Sequence, residues 1–198
     1  MLGVTGGIGA GKTIVCNIFT VLGIPVYNAD TRAKVLMELD RDVIDSIKKY
    51  IGEESYLPGG LLNREYLAHH VFKDGEMLET LNGIVHPAVA KDFHNWSKIH
   101  GRHTYIVKEA ALLIESGSAK ILDYIVNVVA PVELRIKRTL TRDTHRTREQ
   151  VKDIMSNQLS DAERAAKSKF IITNDDQSLL IPQVLKIHDF LINSVHAG

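Results

Sequence analysis

The amino-acid sequence predicts an α/β fold with a five-stranded, parallel, doubly wound sheet. Short apolar runs alternate with segments whose apolar residues recur at helical spacing, which is the pattern of repeated strand–helix units. The continuous apolar character of Tyr124–Val129 is typical of a strand that is buried on both faces. Residues 31–100 are nearly all helical in pattern, which is too long for a simple crossover and predicts a helical insertion.

The first hundred residues predict two strands followed by a series of helices. A strand at Leu2–Thr5 precedes a helix whose broad apolar face runs from Ile14 to Leu22. A second strand spans 23–28, and Asp30 then caps a helix that begins at Thr31. Four further helices are predicted. The first follows Asp40 and ends near Gly52, and the second is capped by Asn63. The third spans 75–84, and the fourth has Pro87 in its first turn and ends at Gly101.

The second half of the chain predicts three more strands, at 105–107, Tyr124–Val129 and Phe170–Thr173. Pro131 starts a helix that runs to about Arg142, and capping boxes at Thr147 and Ser160 begin two more helices. A last helix carries a single apolar stripe made of Leu180, Val184, Ile187 and Leu191.

The composition is that of an ordinary globular protein. Of the 198 residues, 44% are hydrophobic and 24% are charged, which excludes a disordered or low-complexity chain. The 24 basic residues equal the 24 acidic ones, so we expect no nucleic-acid partner. The single cysteine excludes a disulfide framework and a cysteine-based zinc site. With no long apolar run and no signal-peptide pattern, we expect a cytoplasmic protein with no membrane contact and no obligate protein partner.

The clearest chemical signal is a glycine-rich loop near the N-terminus. Residues 6–13 read G-G-I-G-A-G-K-T and match the phosphate-binding pattern G-x-x-x-x-G-K-[ST], placed between a predicted strand and a predicted helix. Glycines let backbone N–H groups turn toward phosphate oxygens, Lys12 neutralises the β- and γ-phosphates, and the Thr13 hydroxyl is the expected Mg²⁺ ligand. The expected ATP-binding residues of this segment are Gly7, Gly9, Ala10, Gly11, Lys12, Thr13 and Ile14.

Among proteins with this loop, a small-molecule kinase fits the chain best. The sequence has no Asn-Lys-x-Asp motif of GTPases, and it is too short for a motor or helicase. Between residues 135 and 148, six basic residues accompany one acid, Asp143. Arg135, Arg138 and Arg142 share one helix face, which indicates a bound polyanion and a helical lid that closes over ATP.

Several segments, taken in order, resemble the dephospho-coenzyme A kinases. The loop with Thr5 resembles the T-G-G-I-G-S-G-K-S start of that family, and Asn28-Ala29-Asp30 resembles its D-A-D. The other matching segments are His86-Pro87, Leu112-Leu113-Ile114-Glu115, the lid segment 137–143 with K-R-x-x-x-R-D, 147–149, Gln158 and Asn174.

The resemblance implies ATP-dependent phosphorylation of the ribose 3′-hydroxyl of dephospho-coenzyme A, the last step of coenzyme A synthesis. Carried over by position, Asp30 is the candidate base, and Lys12 and Arg138 complete the catalytic set. Arg138, Arg142 and Asn174 would contact ATP, while Thr5, Asp30, His86 and Glu115 would lie on the acceptor side.

The same resemblance implies a P-loop kinase core with two helical insertions. The nucleotide-binding core comprises 1–30, 101–130 and 166–198, the substrate-binding domain 31–100, and the lid 131–165. Two departures concern the metal: Asn28 replaces the first acid of D-A-D, and Glu109 adds an acid at a strand end, where it is a plausible water-mediated Mg²⁺ ligand.

Two other functions remain open at this point. One is a different small-molecule or nucleotide kinase, which an acceptor panel would separate. The other is a catalytically silent nucleotide-binding regulator, against which Lys12, Thr13 and Asp30 argue. Asp30 itself has a second possible role as a helix cap. His69, His70 and His86 match no standard metal-binding spacing, so we expect no histidine metal site.

Overall fold

A computed structural model describes residues 1–71 and 75–196 of the chain. Within this part, five parallel strands form one sheet in the order β2-β3-β1-β4-β5. The strands are β1 (Leu2–Thr5), β2 (Val26–Asn28), β3 (Val107–Glu109), β4 (Tyr124–Val129) and β5 (Phe170–Thr173). The predicted α/β fold class with a five-stranded parallel sheet is therefore confirmed.

The helices alternate with these strands and also form one long insertion. In chain order they are α1 (Lys12–Val21), α2 (Ala29–Leu39), α3 (Arg41–Tyr50), α4 (Arg64–Val71), α5 (Gly75–Ile99), α6 (Val132–Arg142), α7 (Arg148–Ser156), α8 (Asp161–Ala166) and α9 (Leu180–His196). Among the described residues, none of these helices combines the length and apolar character that crossing a membrane requires.

The chain divides into two compact units, Met1–Asn28 with Ile99–Gly198, and Ala29–Lys98. The first unit holds the sheet, whose apolar side chains pack with those of α1 and α9. Its fully buried members include Leu2, Val4, Val15, Phe19, Val107, Val126, Val128, Ile172 and Val184. The predicted ranges 31–100 and 166–198 also include residues 72–74 and 197–198, which lie outside the described part.

The second unit has a separate, smaller core of its own. Its buried residues come from α3, α4 and the turn between them: Val43, Ile47, Ile51, Tyr56, Leu67 and Val71. Asp40 caps α3 by accepting a hydrogen bond from the Val43 amide at 3.2 Å, and Asn63 accepts one from the Tyr66 amide at 3.2 Å. The predicted cap at Asn63 is thus confirmed, as are the capping boxes of Thr147 and Ser160.

Three local predictions were wrong. The helices expected at 75–84 and from Pro87 are one helix, α5, which contains Pro87. Pro87 removes one intrahelical hydrogen bond, and its ring lies against the carbonyl of the residue four positions earlier. That residue is Gly83, whose backbone has more conformational freedom than that of other residues and can adjust to the ring. The third strand lies at Val107–Glu109, two residues later than expected, because the buried Lys108 and Glu109 concealed it. Asp30 is not a cap, since α2 already begins at Ala29.

Candidate active site

The phosphate-binding loop, residues 6–13, connects the carboxyl end of β1 to the start of α1. Gly9 has φ of 75° and Gly11 has φ of 93°, values that favour glycine. Gly11 is the N-cap residue of α1, so its conformation sets the direction in which the helix leaves the loop. The N-terminus of a helix carries the positive end of the helix dipole and backbone N–H groups that point out of the helix, so this end of α1 is suited to an anion.

Lys12 lies along the inside of this loop. Its Nζ donates hydrogen bonds to the carbonyl oxygens of Gly6, at 2.9 Å, and Gly7, at 3.4 Å. The ammonium charge is therefore held beside the loop backbone, where the phosphate groups of a nucleotide would be bound.

Glu109 joins the ends of two strands to the start of α1. It ends β3 next to Asn28 at the end of β2, and it is only 4% exposed. Its Oε2 accepts a hydrogen bond from Asn28 Nδ2 at 2.7 Å, and its Oε1 accepts one from Thr13 Oγ1 at 3.1 Å. The carboxylate thus has both oxygens bound at the carboxyl edge of the sheet, the edge at which ligands of such folds bind.

The donor set around Thr13 fits a Mg²⁺ ion that is shared with a nucleotide. Mg²⁺ prefers oxygen ligands and usually keeps several waters, with one or two protein groups and substrate phosphates completing its shell. The Thr13 hydroxyl and the Glu109 carboxylate supply such oxygens side by side. The described residues contain no group of three or more His, Cys, Asp or Glu side chains that could hold a metal on their own.

Asn174, directly after β5, connects the loop to α6. Its Nδ2 donates to the Ala10 carbonyl at 2.8 Å. Arg138, on α6, donates from Nη1 to the Asn174 backbone oxygen at 3.1 Å and from Nη2 to Asn174 Oδ1 at 3.3 Å. Arg138 also pairs with Asp176. The structure therefore brings together Lys12, Thr13, Arg138 and Asn174, four of the residues singled out from the sequence.

The remaining candidates have contacts of a different kind. Thr5 is fully buried and donates to the Ala111 carbonyl at 3.3 Å. Glu115 accepts hydrogen bonds from the Leu159 amide at 3.2 Å and from Arg164 at 3.4 Å. In the second unit, Asp30 is exposed in the first turn of α2, and His86 is exposed on α5.

The arginines of the basic cluster have different partners. Arg142 pairs with Asp143 at 2.8 Å, and hydrogen bonding to Arg142 holds the pKa of Asp143 below its usual value. Arg148 pairs with Glu133 at 2.6 Å on the exposed side of α6, whereas Arg135 is 6% exposed and points toward the loop. Arg135, Arg138 and Arg142 thus have different partners in this structure, and their binding of a polyanion stays a prediction.

Two features of this site were missed or underrated in the sequence. Glu109 was identified as an acid at a strand end and a plausible water-mediated Mg²⁺ ligand, but its hydrogen bonds with Thr13 and Asn28 were not predicted. Gln158 was identified only by position, yet its Oε1 accepts a hydrogen bond from the Ile8 amide in the loop at 2.9 Å. A strand-end acid was the available signal for Glu109, whereas Gln158 reaches the loop only through the tertiary fold.

The sheet, the loop and its lysine and threonine define a P-loop kinase fold. A family model described as dephospho-CoA kinase matches residues 1–179. The chain is 38% identical to the dephospho-CoA kinase of Bacteroides fragilis, covering 98% of this chain and 94% of that one. It is 36% identical to the dephospho-CoA kinase of Porphyromonas gingivalis, covering 94% and 91% of the two chains. The chain belongs to the dephospho-CoA kinase family, a family of enzymes that phosphorylate dephospho-coenzyme A with ATP as co-substrate.

Solved structures agree on the fold. TT1252 from Thermus thermophilus superposes with a TM-score of 0.80 at 27% identity, covering 96% of this chain and 95% of that one. The dephospho-CoA kinase from Campylobacter jejuni gives a TM-score of 0.71 at 23% identity, covering 98% and 97% of the two chains. A shikimate kinase from Acinetobacter baumannii gives 0.54 at 16% identity, covering 98% and 93%, which shows that the same fold serves other kinases.

Proposed function

We propose that the chain transfers the γ-phosphoryl group of ATP to the ribose 3′-hydroxyl of dephospho-coenzyme A, giving coenzyme A and ADP. Family membership supports the acceptor. The observation that carries the reaction type is the arrangement around the loop, where Lys12 lies along the backbone and the Thr13 hydroxyl meets the Glu109 carboxylate at 3.1 Å. Phosphoryl transfer depends mainly on positioning and on cations placed against the transferred group.

The loop and its neighbours would bind the triphosphate and stabilise the transferred group. Backbone N–H groups from Gly9 to Ile14 would donate to phosphate oxygens. The Lys12 ammonium would stabilise the negative charge of the γ-phosphoryl group during transfer. Arg138 would leave its present partners to add a second positive charge. Asn174, which lies against the Ala10 carbonyl, would contact the adenine side of ATP, and Arg142 would reach the phosphates from the end of α6.

Mg²⁺ would be held by Thr13 directly and by Glu109 through water. When bound, the ion neutralises phosphate charge. Asn28, which replaces an acid of the family pattern, donates to Glu109 at 2.7 Å and so fixes one oxygen of that carboxylate. The neutral amide avoids the like-charge contact that a second carboxylate would make at this distance.

Asp30 is the proposed general base. A secondary ribose hydroxyl is a poor nucleophile, and a positioned carboxylate can accept its proton as the phosphoryl group is transferred. The exposure of Asp30 in the first turn of α2 supports this role, because the side chain is accessible to an acceptor. Thr5, His86 and Glu115 are the further acceptor-side residues proposed from the family pattern.

We propose distinct roles for the two helical insertions. Residues 31–100 would bind the acceptor, and residues 131–165 would act as the lid. An increase in hydrogen-exchange protection of 131–165 on adding ATP and acceptor supports the lid, and unchanged protection at saturation contradicts it. The cytoplasmic location and the lack of nucleic-acid and obligate protein partners stay predictions from the sequence.

An acceptor panel tests the proposed reaction. ADP formation is measured with dephospho-coenzyme A, with nucleoside monophosphates and with shikimate, and the product is examined by phosphorus NMR. We expect ADP formation to depend on dephospho-coenzyme A and the new phosphate to be on the 3′-oxygen. Phosphorylation of a nucleoside monophosphate in its place would favour a different kinase. Absence of ADP formation with every acceptor, while ATP still binds, would favour a silent nucleotide-binding regulator.

A further inference from the structure

The tip of the phosphate-binding loop is held from two sides by the segment 131–165. The Ile8 amide donates to Gln158 Oε1 at 2.9 Å. The Ile8 carbonyl accepts a hydrogen bond from Arg135 Nε at 3.0 Å. Both polar backbone groups of this loop residue are therefore satisfied by side chains from outside the loop, and the loop backbone depends on that segment for its conformation.

Arg135 is itself fixed by a group of charges in which the two guanidinium groups are buried and the two carboxylates are partly exposed. It is 6% exposed, and its Nη1 donates to Asp161 Oδ2 at 3.2 Å. Arg164, 1% exposed, donates to the other oxygen of Asp161 at 3.3 Å and to Glu115 at 3.4 Å. Two guanidinium groups thus share two carboxylates, a balanced set that offsets the desolvation of each charge. Burial lowers the pKa of Arg135, and the Asp161 carboxylate opposes that shift.

Arg135 also packs so closely on the loop that two glycines are required. A Cβ at Gly7 would lie 1.9 Å from Arg135 Nη2, and the three atoms nearest to it would all belong to the Arg135 guanidinium. A Cβ at Gly9 would lie 2.3 Å from the Arg135 carbonyl oxygen. Gly7 does not have a positive φ, so at this position the guanidinium, and not backbone strain, is what excludes a side chain.

We propose that Arg135 is a positioning residue that holds the phosphate-binding loop in its nucleotide-binding shape, braced by Asp161 and acting through the Ile8 carbonyl. Asn174 binds the loop elsewhere, at the Ala10 carbonyl, and Arg138 donates to Asn174 and not to the loop itself. The two arginines therefore have separate roles, although they lie one turn apart on α6. The loop is then preorganised before ATP binds, so the binding free energy of ATP is not reduced by the cost of ordering the loop. This inference uses ATP as the co-substrate and does not depend on which acceptor is phosphorylated.

The first test separates loop positioning from general stability. Arg135→Ala removes a charge-assisted hydrogen bond to the loop, so the Kd of ATP measured by calorimetry should rise about tenfold. The KM for the acceptor should stay unchanged because the change acts through the loop. A variant that only loses thermal stability, with an ATP Kd within about twofold of wild type, would overturn the proposal. The exposed Arg102 provides the matched arginine-to-alanine control.

The second test uses the contact between Arg135 and Gly7. Gly7→Ala alone should weaken ATP binding more than Arg135→Ala does, because the new methyl group displaces the guanidinium and distorts the loop. In Gly7→Ala/Arg135→Ala the methyl group has room, and ATP should bind no more weakly than it does to Arg135→Ala. Additive losses in the double variant would mean that Gly7 is required for the nucleotide itself, and this result would contradict the proposed packing role.

A third variant covers the case in which Arg135→Ala fails to fold. Asp161→Asn keeps Arg135 but weakens its brace, so it should raise the ATP Kd in the same direction by a smaller factor. An ATP Kd equal to wild type in a folded Asp161→Asn protein would refute the bracing role. Turnover of the wild type with dephospho-coenzyme A is measured in parallel. Absence of this turnover would reject the proposed acceptor. Normal turnover of the wild type, together with unaltered ATP binding in the variants, would reject only the positioning role.

Discussion

Gly11→Ala is the substitution whose consequences the structure specifies most fully. Gly11 has φ of 93° at the start of α1, and a Cβ there would lie 2.1 Å from Asn174 Nδ2. That amide donates to the Ala10 carbonyl at 2.8 Å, and the same asparagine accepts both hydrogen bonds from Arg138. The new methyl group must therefore move Asn174, and with it the arginine proposed to stabilise phosphoryl transfer.

The expected loss of stability has two parts. An alanine in the left-handed region costs about 1–2 kcal/mol relative to glycine. Displacing the Asn174 amide, which belongs to a residue only 5% exposed, breaks a buried hydrogen bond at a cost of about 1–3 kcal/mol. We therefore expect the free energy of unfolding to fall by about 2–5 kcal/mol, together with a loss of kcat/KM.

Urea denaturation measures this loss, and Gly23→Ala isolates the backbone part of it. Gly23 has φ of 79°, close to that of Gly11, but a Cβ there would meet nothing within 4 Å. Gly23→Ala should then cost only about 1–2 kcal/mol and leave turnover intact. In an Asn174→Ala background the contact is gone, so Gly11→Ala should cost no more than Gly23→Ala does. Equal costs for the two single variants would refute the contact between Gly11 and Asn174 as the cause.

Three further predictions concern the acids of the site. Asp30→Asn should lower kcat by about 10²–10⁴-fold with little change in ATP affinity or unfolding midpoint, and a near-normal kcat would exclude Asp30 as the base. Glu109→Gln should raise the Mg²⁺ concentration needed for half-maximal rate, and an unchanged Mg²⁺ dependence would remove Glu109 from the metal site. Arg142→Ala should raise the pKa of Asp143, which is measured by NMR titration of its carboxyl carbon. Because the folded-state pKa is depressed, the stabilisation by this pair exists above the unfolded pKa and is lost as pH falls through the folded pKa, so wild type and variant should converge in stability at low pH.

The sequence was most informative where a local rule decides the structure. The loop glycines, the cap at Asn63 and the capping boxes all depend on residues within a few positions of each other, and the structure has each of them. Four of the five strands were placed correctly because a buried parallel strand is an apolar run. The exception is β3, where Lys108 and Glu109 are buried by tertiary contacts that no local pattern reports.

The contacts that organise the candidate site are long-range, and this is why they were not predicted. Arg135 and Ile8 are 127 positions apart, and Asn174 and Ala10 are 164 apart. Helical spacing correctly placed Arg135, Arg138 and Arg142 near one face of α6 but gave no information on partners contributed by other elements. Pro87 was misread for a related reason, since packing along a 25-residue helix outweighs the loss of one hydrogen bond.

In the proposed reaction, the phosphate-binding loop positions ATP for transfer of its γ-phosphoryl group to dephospho-coenzyme A. The most direct measurement follows γ-³²P from labelled ATP into coenzyme A with the wild-type chain and with Lys12→Ala, after circular dichroism has shown that both are folded. The proposed reaction requires labelled coenzyme A from the wild type and nearly complete loss of transfer in Lys12→Ala. Transfer at wild-type rate by a folded Lys12→Ala protein, or no label in coenzyme A with the wild type, would contradict it.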